Sequence, residues 1–173
     1  MHSGADTTGL QGTGSTVTIG QTGVINTFGA LGHETSVRLG SAGTLLHPGL
    51  IRSSNCGVSI DGAAGQITNA GTIAADATGV TSLPDRTLTN TGTIDGKDDG
   101  VVIAGTNGSV PNSGRIASDS SALTLGHSGY MVNSGDMISR PASGPTYAVG
   151  VGSVAMIKNS GAIFCKIQWH LRR

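Results

Sequence analysis

The sequence predicts an all-β, single-stranded, right-handed parallel β-helix (solenoid) of about seven coils. Three observations lead there: a repeat of about 21 residues, period-2 apolar alternation inside each repeat, and a composition rich in glycine and poor in aromatics. With 29 glycines, 3% aromatic and 36% hydrophobic residues, the chain lacks the bulky side chains that fill a compact globular core. Its core has to be built in thin layers from Val, Ile, Leu, Ala and Thr.

The repeat is plainest in Ile67-Thr68-Asn69-Ala70-Gly71-Thr72-Ile73, Leu88-Thr89-Asn90-Thr91-Gly92-Thr93-Ile94 and Val110-Pro111-Asn112-Ser113-Gly114-Arg115-Ile116. Two further copies centre on Asn133 with Gly135 and on Asn159 with Gly161. Worn copies precede them at Leu45–Ile51 and Val24–Ala30. A second marker runs about ten residues ahead of each Asn, at Val17, Val37, Val58, Val80, Val101, Leu123 and Val149. Each unit thus holds two or three short strands separated by turns, and a unit of that size buries its apolar face only by stacking on its neighbours.

Stacking assigns roles. Val24, Leu45, Ile67, Leu88, Val110, Met131 and Ile157 are expected to form one inward column, and Ile51, Ile73, Ile94, Ile116, Met137 and Ile163 another. Asn69, Asn90, Asn112, Asn133 and Asn159 lie at the corner, where each amide can donate to the Asn one coil away and accept from the other side. Gly71, Gly92, Gly114, Gly135 and Gly161 are expected to supply a left-handed backbone at that corner. Both sets are structural corner residues.

Residues 15–163 form the β-helix in this reading, residues 1–14 a partial coil or N-terminal cap, and residues 164–173 a non-repeat tail or cap holding the only Trp. The interval from Asn133 to Asn159 carries about five extra residues. They fall at 139–145 and make Arg140, Pro141 and Pro145 a candidate binding loop. Cys56 and Cys165 are too many coils apart to bridge and are expected as free thiols.

Ten Lys+Arg against ten Asp+Glu leave no basic footprint for nucleic acid. There is no apolar run of membrane-spanning length. No metal spacing, nucleophile elbow or phosphate loop is present, so no metal, cofactor or catalytic residue is assigned. The densest acidic patch, Asp95 with Asp98 and Asp99, followed one coil later by His127, faintly resembles the polygalacturonase family. That family's Asn-x-Asp and Arg-x-Lys signatures are missing, and the patch reads as a solvated turn; a polysaccharide-active enzyme stays as the alternative.

The unit apolar-x-Asn-small-Gly-x-Ile, repeated in a Gly/Thr/Ser/Asn-rich chain, resembles the passenger region of Gram-negative autotransporters and related haemagglutinin-like adhesins. The resemblance implies a right-handed β-helix displayed on the outer-membrane exterior or released; no protease triad of the kind some passengers carry can be mapped here, so no catalytic residue is carried over. It implies host-surface protein or glycan as partner, while the exposed ends of a coil stack suggest self-association into a fibre as a further option. Neither an export signal nor a barrel is found, so the resemblance implies a fragment of a longer exported precursor or a degenerate paralogue.

Overall fold

The computed structural model describes residues 8–29, 34–82, 84–141 and 147–165. Among the described residues it is a parallel β-solenoid of three seven-stranded sheets without helices. Each coil contributes three strands. The first coil holds β1 (Thr8–Gly12), β2 (Thr16–Thr18) and β3 (Val24–Thr27), and the second β4 (Thr35–Leu39), β5 (Thr44–His47) and β6 (Leu50–Ser53). The third holds β7 (Cys56–Ile60), β8 (Gln66–Asn69) and β9 (Thr72–Ala75), and the fourth β10 (Val80–Ser82), β11 (Thr87–Asn90) and β12 (Thr93–Gly96). Then come β13 (Val101–Thr106), β14 (Ser109–Asn112) and β15 (Arg115–Ser118), followed by β16 (Leu123–His127), β17 (Tyr130–Asn133) and β18 (Asp136–Ser139). The last coil is β19 (Val149–Val151), β20 (Met156–Asn159) and β21 (Ala162–Cys165). The first sheet stacks β1, β4, β7, β10, β13, β16 and β19, the second begins with β2 and the third with β3.

The core is a set of apolar columns parallel to the rod axis. Ile51, Ile73, Ile94, Ile116 and Met137 are all fully buried in the third sheet, in register from coil to coil. Leu45, Ile67, Leu88, Val110 and Met131 do the same in the second sheet, and Val37, Val58, Val80, Val101 and Leu123 in the first. Buried residues alternate with more exposed ones along β8 and β11, as a strand with one face in a dry core requires.

The first coil departs from the expected register. Val17, not Val24, pairs with Leu45, while Val24 pairs with Leu50 and Ile25 continues the column of Ile51. The marker Val17 therefore belongs to the second sheet, and Leu10 of β1 takes its place in the first, opposite Val37. Among the described residues Thr8–Gly12 is thus already a strand of the first coil, ahead of the boundary expected at residue 15. The cause is length: the connection from Leu10 to Val37 is longer than one repeat, which shifts the apolar spacing by a whole face. At the other end, Phe164 and Cys165 continue β21 and are not part of a tail, while residues 166–173 lie outside the described residues.

The corner glycines are needed for a different reason from the one expected. None of Gly71, Gly92, Gly114, Gly135 and Gly161 has a left-handed φ. A Cβ on Gly114 would sit 2.1 Å from the carbonyl oxygen of Gly92, and the same contact recurs at 2.0 to 2.1 Å for the other four. Backbone stacks directly on backbone there, and a methyl group has no room. The left-handed residue lies instead at the turn between the first two strands of each coil. It is Gly14 in the first coil and then Ala42, Ala64, Asp85, Asn107, Ser128 and Val154, all with φ between 53° and 61°.

The asparagines form the expected ladder. Asn69 Nδ2 donates to Asn90 Oδ1, Asn90 to Asn112, Asn112 to Asn133 and Asn133 to Asn159, each at 2.7 Å. Each amide also reaches backbone of the coil ahead, as Asn90 Nδ2 does to the Arg115 carbonyl at 3.2 Å. The backbone carbonyl of each Asn in turn accepts two N–H groups from the next corner, Ser113 and Gly114 on Asn90 at 2.9 and 3.2 Å. These buried polar groups are satisfied almost entirely by one another.

Replacing Asn112 by Leu leaves the Asn90 donor and the Asn133 acceptor buried without each other's bridge, an expected loss of about 1–3 kcal/mol. Gly114→Ala drives a methyl into the Gly92 carbonyl and is expected to lose about as much. Urea midpoints of both variants, read by circular dichroism, check this; wild-type midpoints would count against the ladder and the close stacking.

Candidate functional site

The strand pairing lines up the outward positions of the third sheet as Asn26, Arg52, Ala74, Asp95, Ala117 and Ile138, one per coil. The turn residue two places further on builds a second column, Phe28, Ser54, Asp76, Lys97, Asp119 and Arg140. Between the columns lies an open groove of about 580 Å³, lined by Phe28, Arg52, Ala74, Asp76, Asp95, Lys97, Asp119 and Arg140. Between Arg52 and Asp95 in the outward column stands Ala74, which carries only a methyl group.

Charges along the turn column alternate in sign. Lys97 Nζ lies 2.6 Å from Asp76, and Arg140 Nε lies 3.1 Å from Asp119. Arg140 also grips the Asp95 carboxylate with both terminal nitrogens, Nη1 donating to Oδ2 at 3.2 Å and Nη2 to Oδ1. The two-point bond to Asp95 holds the Arg140 guanidinium protonated above its ordinary range, ahead of the smaller contribution of Asp119. Arg52 is different: exposed, with no side-chain partner among the described residues.

The sequence-level site residues separate accordingly. Arg140 is drawn into the groove and away from its loop, Pro141 is buried, and Pro145 lies outside the described residues. Asp95 stands on a strand of the third sheet and not in a turn, whereas Asp98 is exposed beyond it and Asp99 accepts the Ser121 backbone N–H at 3.3 Å. Neither Asp98 nor Asp99 lines the groove. His127 bonds Ser153 at 2.8 Å on the first sheet, so these residues are not brought together. Among the described residues no group of three or more His, Cys, Asp or Glu is placed to hold a metal ion.

Neither a protein-family model, nor a curated protein, nor a solved structure matches this chain.

Two buried groups, His47 and Arg86, are not singled out by the sequence. His47 pairs with Asn69 in register and stands in for an asparagine at the start of the ladder. Its Nε2 meets the Thr72 carbonyl at 3.0 Å, as the Asn amides meet theirs, but its Nδ1 and the Asn69 Oδ1 facing that coil are both buried without a partner. Arg86, 2% exposed, occupies the corner that Gly43, Gly65, Gly108 and Gly129 fill in other coils, and burial lowers its pKa. Cys56 is buried in β7, four coils from the exposed Cys165 of β21, and no disulfide joins them. Burial pushes the Cys56 thiol up to about 12. Among the described residues no helix is long and apolar enough to cross a membrane.

Burial lowers the His47 pKa below 6.5, more than the Thr72 bond raises it. The unfolded chain therefore takes up the proton first as pH falls, and stability is lost on acidification from about pH 6.5 downward. His47→Asn gives the orphaned Asn69 Oδ1 a donor and removes the titrating group. It is expected to raise stability by about 1 kcal/mol at pH 7.5, with a larger gain at pH 5. Urea denaturation at the two pH values checks this, and a gain equal at both would remove His47 as the cause.

Proposed function

We propose that this chain is a non-catalytic β-helical display scaffold, a segment of a surface-exposed or secreted adhesin of the autotransporter passenger type. The observation that carries the reading is the Asn ladder, which takes the repeated polar residues into coil-to-coil hydrogen bonds and leaves the outer faces free to vary. The alternative, a polysaccharide-cleaving enzyme, is disfavoured because Asp95 is tied up by Arg140 while Asp98 and Asp99 stand apart from the groove. An acid or base at that position has no second carboxylate free to act with it.

A fibre-forming role has one observation in its favour. Ile157 and Ile163, ends of columns that are fully buried mid-stack, are 44% and 39% exposed in the last coil, beside Met156 and Val154. Sedimentation velocity across a concentration series distinguishes the two: a scaffold stays monomeric, a fibre module grows end to end.

For the display reading, protease treatment of intact source cells is expected to remove an epitope tag inserted after Asp98, an exposed turn residue. A tag digested only after lysis would overturn it. Release of reducing ends from plant or bacterial polysaccharides, abolished by Asp95→Asn, would install the enzyme reading in its place.

A further inference from the structure

We infer that the groove on the third sheet binds a short oligosaccharide with one carboxylate-bearing sugar at its end and neutral sugars behind it. The inference rests on the display reading and adds the ligand class. The groove runs along the rod from Phe28 in the first coil to Arg140 in the sixth, about 24 Å at ~4.8 Å per coil, so it fits an extended chain better than a compact metabolite.

The order of groups along the groove sets the order of chemistry in the ligand. At one end stand Arg52 and Phe28. Arg52 is the one lining cation with no ion pair among the described residues, whereas Lys97 and Arg140 are already held by Asp76, Asp95 and Asp119. A guanidinium fork offers two parallel donors to a carboxylate. Phe28, 64% exposed, gives a flat apolar face on which the carbon face of a sugar ring can rest. An exposed aromatic and an unpaired arginine thus line the same end of the groove, in a chain with only two Phe, two Tyr and one Trp.

Beyond Arg52 the groove is lined by the Ala74 methyl and by the carboxylates of Asp76 and Asp95. Ionised carboxylates accept hydrogen bonds and donate none, which suits sugar hydroxyls. Lys97 and Arg140 already balance their charge, so a second anionic sugar placed over them finds no unpaired cation. A uniformly acidic polymer is therefore the wrong ligand, and a neutral sugar without the terminal acid leaves Arg52 unanswered. Both follow from the sequence of charges along the groove.

The test is calorimetric titration and saturation-transfer NMR of the full chain with 3′-sialyllactose, lactose, trigalacturonate and a tri-aspartate peptide at low salt. Sialyllactose is expected to bind at least tenfold more tightly than each of the other three. Arg52→Gln and Phe28→Ala should each weaken it at least tenfold, with Arg52→Lys between Arg52→Gln and wild type. Arg38→Gln, on the first sheet, should leave it unchanged; circular dichroism confirms that each variant is folded. Lactose or trigalacturonate binding as tightly as sialyllactose overturns the inference, as does undiminished binding by folded Arg52→Gln. The tri-aspartate peptide binding best would assign the groove to an acidic protein segment. No binding of any probe to the folded chain also overturns it, and leaves the display reading to stand or fall on the cell-surface experiment.

Discussion

Parallel coils held about 4.8 Å apart by backbone hydrogen bonds give every side chain the same two neighbours, the equivalent residues of the coil before and the coil after. A buried polar side chain in such a column has to answer its own kind. Asparagine can, because its amide carries a donor and an acceptor and each Nδ2 meets the next Oδ1. Ser or Thr could do so only with a shorter reach, and a carboxylate would repel its copy. The corner glycines belong to the same constraint, since the backbone above lies where a Cβ would be.

The column rule also explains where the protein is weak. His47 reaches the Thr72 carbonyl but leaves Asn69 Oδ1 without a donor, so the ladder begins with a fault. Arg86 replaces a corner glycine and is buried with its Nε unpartnered. The left-handed turn accepts Ala, Ser, Asp, Asn and Val because it faces solvent in most coils and costs each residue only local strain.

On the outside the same spacing works against repetition. Identical charges one coil apart repel, and Asp76, Lys97, Asp119 and Arg140 alternate so that each has an opposite neighbour. An outer face built this way is charged but internally balanced, and any group left out of the pairing is available to a ligand. Among the cations that line the groove of the third sheet, Arg52 is that group.

The sequence by itself determined the solenoid, its period, the identity of most inward columns and the Asn ladder, because each is written in residues that recur at one spacing. It did not determine the register of the first coil, where a long connection between β1 and β4 breaks the count and moves Val17 to another sheet. Nor did it say that the corner glycines serve close stacking, since a left-handed turn and a steric contact select the same residue. Asp76, Asp95, Asp119 and Arg140 are up to 64 positions apart and of mixed type, so no spacing pattern joins them. Only the tertiary structure does, because coiling converts one repeat length of sequence into one step along the rod and brings such residues to a single groove.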